Sequence, residues 1–311
     1  MSGSAVRVAD APGNWVDTTA PAWARPYLRL ARYDRPIGSW LLLMPCWWSA
    51  ALASGVAHDL SRLPLWIVLF FIGAFVMRGA GCTWNDISDR HLDGMVERTR
   101  SRPIPAGQVD VKQALVFMVA QALIGLAVLL QFNWFAIATG IASLSIVAIY
   151  PFMKRITWWP QTVLGLAFSW GALMGFAVAF GRLDATAVLL YAGSIAWVIG
   201  YDTIYAHQDA EDDALIGIKS TALLFGARTH RALAILYGLA VVLIGAALLS
   251  AGSHIAAWIG LAVFAAHLGW QIRRLDISDT ALCLRVFKSN REAGLLLFAG
   301  FAADALLRSV G

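Results

Sequence analysis

The feature that most constrains this chain is a series of apolar runs long enough to cross a lipid bilayer. A transmembrane α-helix needs about 20 predominantly apolar residues. Runs of this kind begin near Pro36, Leu63, Gln113, Trp134, Gln161, Ala185, Ala232, Ile255 and Ala293. Hydrophobic residues make up 59% of the sequence and charged residues only 14%, against about half and a quarter in soluble proteins. We therefore predict an all-α integral membrane protein, a bundle of about nine transmembrane helices.

Two segments follow from this pattern. Residues 1–31 form an N-terminal segment without the features of a signal or transit peptide. The amphipathic stretch at residues 23–33 would lie along the membrane surface or serve as a solvated lead-in to the first span. Residues 32–311 are predicted to form a single nine-helix domain.

Basic residues indicate the orientation of the chain, because Lys and Arg are retained in short cytoplasmic loops. They are concentrated in every second connection between the apolar runs. This places the N-terminus in the cytoplasm and the C-terminus on the opposite side, and we expect the bacterial inner (cytoplasmic) membrane. The net charge of +5 is spread along the chain instead of forming one patch, so the expected partner is the lipid bilayer and not a nucleic acid.

Two long connections on the predicted cytoplasmic side, at residues 84–110 and 205–229, are rich in acidic residues. Together they would form a cap on the bundle. If the second helix continues into the first connection, residues three and four apart share one face. The acidic stripes are then Asn85, Asp86, Asp89 and Asp93 in the first connection, and Asp202, Asp209 and Asp213 at the end of the sixth helix and in the second connection.

Such clusters of carboxylates point to a metal site. Neighbouring carboxylates repel one another and raise each other's pKa unless a cation neutralises them. Hard oxygen ligands suit Mg²⁺, whose coordination is typically completed by water and substrate phosphates. The alternative is that they are solvated loop charges, helix caps or partners of nearby arginines. Two clusters, each at the membrane end of a spanning helix, favour a functional site that binds Mg²⁺ and a diphosphate.

A diphosphate site also needs cations, and the same connections contain them. The candidates are Arg78, Arg98, Arg102, Lys154 and Lys219. Arg98 and Arg102 precede the rigid segment 103–107, which could present guanidinium groups to phosphate oxygens. The alternatives are neutralisation of the acidic stripe by Arg78 and a role in the inside-positive bias for the others.

At this point the motifs resemble those of a known family, the UbiA-type intramembrane prenyltransferases, and within it the branch that prenylates 4-hydroxybenzoate in ubiquinone biosynthesis. The motifs are Asp34-Arg-Pro-Ile-Gly38, Asn85-Asp86-x-x-Asp89-x-x-x-Asp93, Arg98-Thr-x-x-Arg102-Pro-x-Pro-x-Gly107, Tyr150-Pro-Phe-Met-Lys-Arg155, Tyr201-Asp-Thr-x-Tyr-Ala206 and Asp209-x-x-Asp212-Asp213 leading to Gly217-Ile-Lys-Ser-Thr-Ala222. The resemblance implies a nine-helix bundle with a cytoplasmic cap over a cavity. It implies Mg²⁺ held chiefly by Asn85, Asp89, Asp209 and Asp213, with Asp86 and Asp93 close by.

The resemblance further implies transfer of a polyprenyl group from its diphosphate to the ring carbon ortho to the hydroxyl of 4-hydroxybenzoate. The catalytic residues would be Asp89, Asp93, Asp209 and Asp213, with Asp202 or the departing diphosphate taking the ring proton. The carboxylate of the acceptor needs a cationic anchor, for which Arg35 and then Arg155 are the candidates. Each of these two could instead be an ordinary basic flank of a membrane helix.

Two other classes of function remain open at this stage. Menaquinone-, homogentisate-, haem- and chlorophyll-type prenyltransferases share the first acidic motif, so that motif does not choose the acceptor. A secondary transporter also has many apolar helices, but transporters place ionisable groups near the bilayer midplane. Here the acidic clusters lie at helix ends on one side, which favours the enzyme.

Overall fold

The computed structural model describes residues 13–94, 99–215 and 217–310, and the backbone alone at residues 211–213. All regular structure in this part of the chain is helical. The α-helices are α1 (Trp15–Thr18), α2 (Arg25–Leu30), α3 (Ile37–Ala57), α4 (Leu63–Asp93), α5 (Val111–Leu129), α6 (Trp134–Ile156), α7 (Pro160–Ser169), α8 (Gly171–Phe180), α9 (Ala185–Ala206), α10 (Ala210–Leu215), α11 (Thr221–Phe225), α12 (Thr229–Ser250), α13 (Ile255–Arg274), α14 (Thr280–Lys288) and α15 (Asn290–Val310). A 3-10 helix, Gly226–Arg228, separates α11 from α12.

Nine helical segments of the described residues are long and apolar enough to cross a membrane, as predicted. They are Ile37–Ala57, Leu63–Asp93, Val111–Leu129, Trp134–Ile156, Pro160–Phe180, Ala185–Ala206, Thr221–Ser250, Ile255–Arg274 and Thr280–Val310. The seventh and ninth begin well before the predicted Ala232 and Ala293. The reason is that polar and basic residues, within 228–231 after α11 and within 285–292 around the end of α14, separate these short helices from the apolar runs that hydropathy detects.

Several helices begin at a side chain that satisfies their first free backbone N–H groups. Asn133 accepts a hydrogen bond from Ala136 N at the start of α6, and Asp184 accepts one from Ala187 N at the start of α9. Asn and Asp are favoured at this position because their side-chain oxygens replace missing helical partners. These caps fix where the short connections end and the spans begin.

Internal contacts divide the chain into two compact units, Met1–Trp40 with Ile72–Val128, and Leu41–Phe71 with Leu129–Gly311. The first unit has a small apolar core made by Leu30 of α2, Ile87 of α4, Val109 just before α5, and Ala114 of α5. The rings of Tyr27 and Phe117 pack against it, with centroids 5.3 Å apart. This core joins α2 and the segment before α5 to the end of α4, where the first acidic motif lies.

The second unit has an aromatic core. Trp48 of α3 packs against Trp197 of α9 with ring centroids 4.8 Å apart, and Phe264 of α13 contacts both rings. The indole N–H groups are satisfied inside the protein: Trp48 donates to Gly294 O and Trp197 to Asn290 Oδ1, each at 2.8 Å. Buried indoles need such partners, so this core holds α3, α9, α13 and α15 in a defined arrangement.

Within the second unit, α8 packs closely against Ser49 and Ala50 of α3. Ser49 Oγ donates to Ala172 O at 2.6 Å. At Gly175 a Cβ atom would overlap the backbone of Ser49 and Ala50. Small residues at such contacts allow membrane helices to pack closely, and glycine is required here for that reason.

The prediction of a single domain after residue 31 stays a prediction, as does the cytoplasmic cap. The connections that were predicted to form the cap are partly helical. Helix α4 continues to Asp93, and α10 and α11 lie within residues 205–229.

Candidate functional site

The first acidic motif lies on the last three turns of α4. Asp86 and Asp89 are fully buried, Asp93 is nearly so, and Asn85 is half-buried. The shared stripe was predicted on the condition that the second helix continues through the motif, and α4 does so. Buried carboxylates require compensation by hydrogen bonds or positive charge.

Arginines compensate two of these carboxylates. Arg32 Nη2 donates to Asp86 Oδ1 at 2.6 Å, and Arg102 Nη1 lies 3.3 Å from the same oxygen. Arg102 Nη1 also donates to Asp93 Oδ2 at 2.6 Å. The structure therefore brings together Asp86, Asp93 and Arg102 of the predicted site, and adds Arg32.

The segment after α4 is folded tightly around Arg102. Thr99 Oγ1 donates to Asp93 O, and Arg102 N donates to Thr99 O, both at 2.9 Å. Gly107, with a φ of 68°, closes the turn in a left-handed conformation that favours glycine. Local hydrogen bonds thus define the path of this segment, and its rigidity stays a prediction. Arg98, another predicted diphosphate contact, lies outside the described residues.

Arg32 is a site residue that the sequence analysis missed, because it was counted only among the basic flanking residues. Its φ of 61° is left-handed, a conformation shared among described non-glycine residues only with His58, and costing about 1–2 kcal/mol for residues with a side chain. Burial lowers the pKa of the Arg32 guanidinium, but the Asp86 carboxylate outweighs this and raises the pKa. No spacing rule distinguishes Arg32 from its neighbours Arg29 and Arg35.

Two further predicted residues of the first unit have defined neighbours. Arg35 Nε lies 3.5 Å from Asp34 Oδ2. Burial raises the pKa of Asp34, and the nearby guanidinium groups of Arg35 and Arg32 oppose this shift. The Arg78 guanidinium lies over Gly38, where a Cβ atom would come within 2.8 Å of Arg78 Nε. Gly38 thus leaves the space that this guanidinium occupies.

The second acidic motif lies in the second unit, at the end of α9 and beyond. Asp202 on α9 and Asp209 just after it are half-buried. The side chain of Asp213, another predicted ligand, lies outside the described residues. The separation of Asp202 from Asp209 by the end of α9 means that the predicted common stripe is not one continuous helical face.

A buried polar network fixes the chain around this motif. Thr203 and Thr221 share a hydrogen bond of 2.7 Å, and Gln161 Oε1 accepts from Thr221 N at 3.0 Å. His207 Nε2 lies 3.0 Å from Thr229 Oγ1, and burial lowers the pKa of His207, helped by nearby His230. The network fastens the Gly217–Ala222 motif to α9 beside Asp202.

Lys219 of this motif lies beside Lys154 through a backbone hydrogen bond. Lys219 N donates to Lys154 O at 2.9 Å, and Lys219 Nζ donates to Ile156 O at 3.1 Å. Arg155, the second candidate for the acceptor, is exposed at the end of α6, with its guanidinium carbon 5.9 Å from the Phe152 ring centroid. Lys154, Arg155 and Lys219 are therefore neighbours in the second unit.

No group of three His, Cys, Asp or Glu side chains in the described part of the chain is arranged to hold a metal ion by itself. Mg²⁺ does not need such a group, because it is commonly bound by one or two carboxylates together with substrate phosphates and waters. Asn85 and Asp89, one turn apart on α4, supply oxygen donors of the kind that Mg²⁺ prefers. The donor set fits Mg²⁺ bound together with a diphosphate.

The sequence pattern of the UbiA prenyltransferase family matches residues 42–299. The chain belongs to this family, and the predicted enzyme class, a prenyltransferase, is confirmed. A curated relative from Rattus norvegicus, the mitochondrial 4-hydroxybenzoate polyprenyltransferase, is 48% identical over 299 residues, which cover 94% of this chain and 78% of the relative.

Solved structures confirm the fold. The apo structure of a UbiA homologue from Aeropyrum pernix K1 has a TM-score of 0.71 at 24% identity and covers 85% of this chain and 97% of its own. A UbiA homologue from Archaeoglobus fulgidus bound to GPP and Mg²⁺ has a TM-score of 0.57 at 18% identity, covering 87% and 99%. The predicted all-helical membrane architecture is therefore correct.

The predicted location in a bacterial inner membrane is contradicted by the curated relatives, which are mitochondrial proteins. The multi-pass membrane character is unaffected. The error has a physical reason: apolar helices and basic loops report that a chain crosses a bilayer, but not which bilayer it crosses. The predicted sides of the two termini remain predictions.

Proposed function

We propose that this chain is a 4-hydroxybenzoate polyprenyltransferase, which transfers a polyprenyl group from polyprenyl diphosphate to the ring carbon ortho to the acceptor's hydroxyl, an early membrane step of ubiquinone biosynthesis. The observation that carries this proposal is the 48% identity to the rat 4-hydroxybenzoate polyprenyltransferase over 94% of the chain. Family membership alone leaves the acceptor open, whereas identity at this level over nearly the whole chain favours the same acceptor.

We propose Mg²⁺ as the metal, with Asn85, Asp89, Asp209 and Asp213 as its main protein ligands. The oxygen donors of these residues and the Archaeoglobus homologue bound to GPP and Mg²⁺ support this choice. When bound, Mg²⁺ would neutralise the diphosphate and stabilise the charge of the leaving oxygen. Asp86 and Asp93, also predicted as ligands, are engaged by arginines in this structure.

The cations proposed for the diphosphate are Arg78, Arg98, Arg102, Lys154 and Lys219. Breaking the allylic C–O bond leaves negative charge on the diphosphate and positive charge on the allyl group. Guanidinium and ammonium groups aimed at the leaving oxygens stabilise that separation. The allylic cation then needs an apolar and water-poor environment, since water would otherwise capture it.

The acceptor must present its ortho carbon to this cation. We propose that Arg35 or Arg155 binds the carboxylate of 4-hydroxybenzoate and so orients the ring. After the new C–C bond forms, the ring loses a proton, and Asp202 or the departing diphosphate accepts it.

An assay with radiolabelled 4-hydroxybenzoate tests the proposed function. The purified protein, supplied with a polyprenyl diphosphate and Mg²⁺, is expected to convert the label into a product that is extracted into organic solvent, and EDTA should stop the reaction. Homogentisate, offered at the same concentration, is the matched control and should compete poorly. Absence of a lipid-soluble product from 4-hydroxybenzoate would refute the proposal, and preference for homogentisate would reassign the acceptor.

A substitution at Gly38 tests the role of Arg78 without changing Arg78 itself. Gly38→Ala would place a Cβ atom 2.8 Å from Arg78 Nε and 3.1 Å from its Nη2, so the guanidinium must move. We expect the KM for prenyl diphosphate to rise about three- to tenfold, with a smaller change in kcat, because a charge-assisted contact is weakened. Gly81→Ala on the same helix as Arg78 is the control, since a Cβ there meets nothing within 4 Å. An unchanged KM in Gly38→Ala would argue against a diphosphate contact by Arg78.

A further inference from the structure

Four residues of the first unit form a connected ion-pair network. Arg32 Nη2 donates to Asp86 Oδ1 at 2.6 Å, the same oxygen lies 3.3 Å from Arg102 Nη1, and Arg102 Nη1 donates to Asp93 Oδ2 at 2.6 Å. Two carboxylates and two guanidiniums balance in charge. The Asp86 side chain is fully buried, and the side chains of Arg32 and Arg102 are 13% and 19% exposed. Burial on this scale makes the pairing specific, because a buried charge without its partner is strongly disfavoured.

The helical geometry of α4 places Asp86 and Asp93 close together around the helix. At about 100° per residue, Asp86 and Asp93 lie within about 20° of each other around the helix, and Asn85 and Asp89 within about 40°. Asp89 and Asp93 are likewise within about 40° of each other, so the four residues share one stripe. Within this stripe Asp86 and Asp93 both contact Arg102.

The conformation of Arg32 indicates that its pairing is built into the fold. Its backbone is left-handed, with a φ of 61°, and such conformations persist in residues with side chains only where the surroundings enforce them. Arg32 Nη1 also donates to Arg29 O at 2.9 Å. Arg29 in turn pairs with Asp17 at 2.5 Å. The guanidinium of Arg32 is thus held from the N-terminal side and presented to Asp86.

We propose that Arg32 is a positioning residue: through Asp86 it holds Arg102 in place, and Asp86 serves as an anchor for these two arginines instead of as a metal ligand. A divalent cation beside Asp86 would lie close to two guanidiniums, which is electrostatically unfavourable. The second oxygen of Asp86, Oδ2, is buried and has no hydrogen-bond partner among the described residues. Since this oxygen is a donor that a metal could use, the test must distinguish Asp86 as an anchor for arginines from Asp86 as a metal ligand.

The test uses Arg32→Gln, Arg32→Lys, Asp86→Asn and the double variant Arg32→Gln/Asp86→Asn, with the intact chain and geranyl diphosphate as donor. This kinetic arm rests on the proposed function. We expect Arg32→Gln and Asp86→Asn each to raise the KM for geranyl diphosphate about tenfold, while the Mg²⁺ concentration for half-maximal activity changes less than about twofold. Arg32→Lys should restore much of the loss because it keeps a cation beside Asp86. The KM of the double variant should be no higher than that of the single variants, since both substitutions remove the same contact between Arg32 and Asp86.

Thermal unfolding in EDTA provides a readout that needs neither metal nor turnover. Because the ion pair joins two protein side chains, Arg32→Gln and Asp86→Asn should lower the unfolding temperature to a similar extent, and the double variant by no more than either. Arg90→Gln is the control, since Arg90 is exposed on the same helix, and it should leave the KM, the Mg²⁺ requirement and the unfolding temperature unchanged.

Two results would overturn the proposal. One is an increase of about tenfold or more in the Mg²⁺ requirement of Asp86→Asn, which would make Asp86 a metal ligand. The other is additive losses in the unfolding cycle, which would show that Arg32 and Asp86 act independently. Failure of the proposed function is distinct, because wild-type protein would then form no prenylated 4-hydroxybenzoate, while the unfolding cycle would still report on the ion pair.

Discussion

Replacement of Asp89 by asparagine is expected to reduce prenyl transfer by about 10²–10³-fold, the loss typical of removing one group that stabilises charge in a transition state. Asp89 is fully buried on α4 and lies one turn from Asn85. Asparagine keeps the shape of the side chain but removes the negative charge that the proposed metal requires. The measurement is kcat with 4-hydroxybenzoate and a polyprenyl diphosphate over a range of Mg²⁺ concentrations.

The matched control for this substitution is Asp59→Asn. Asp59 is exposed between α3 and α4, where its Oδ1 accepts from Ser61 N at 2.8 Å, and asparagine retains that acceptor. Asp59→Asn should keep wild-type activity and the wild-type unfolding temperature in EDTA, and circular dichroism of Asp89→Asn checks that this variant is folded. If Asp89→Asn retained full activity at low Mg²⁺, the assignment of the first motif to the metal would have to be abandoned.

Replacement of Gly175 by alanine is expected to have the largest effect on stability. The added Cβ atom would overlap backbone atoms of Ser49 and Ala50 on α3, and backbone cannot move aside as the end of a side chain can. Overpacking of this kind costs about 1–3 kcal/mol and sometimes more, and we expect the upper end. The shift of α8 would also lengthen the hydrogen bond from Ser49 to Ala172. Thermal unfolding of the purified protein in detergent measures the effect.

Gly238→Ala is the control for this prediction. Gly238 lies inside α12, and a Cβ atom there meets nothing within 4 Å. Alanine favours a helix over glycine by up to about 1 kcal/mol, so the unfolding temperature should stay the same or rise slightly. Equal behaviour of the two variants would mean that the close approach of α3 and α8 does not contribute to stability.

The sequence predicted the membrane helices well because length and hydropathy are local properties. It missed the true starts of the seventh and ninth segments, since charged residues near Arg228 and Arg291 interrupt the apolar pattern between the short helices at Thr221 and Thr280 and the runs that follow. It also could not decide whether α4 would continue past Trp84. The continuation depends on packing of Ile87 against Leu30, Val109 and Ala114, which are distant in sequence.

The residue types of the site were predictable, but their pairing was not. The spacing of Asn85, Asp86, Asp89 and Asp93 identified a common stripe, yet spacing does not show which carboxylates meet arginines. Arg32 lies 54 positions before Asp86, and their contact depends on a left-handed backbone that arginine rarely adopts. A sequence without its fold contains no signal for that conformation.

The length of α4 has a consequence for the bilayer in which this protein can work. Its 31 residues correspond to about 46 Å at 1.5 Å per residue, whereas the hydrocarbon layer is about 30 Å thick. About ten residues of α4 are therefore not needed to span the hydrocarbon layer. The motif from Asn85 to Asp93 is of similar length. Differences in membrane thickness among lipid compositions amount to only a few Å. The surplus length allows the carboxylates to remain at headgroup depth in thin and thick bilayers alike.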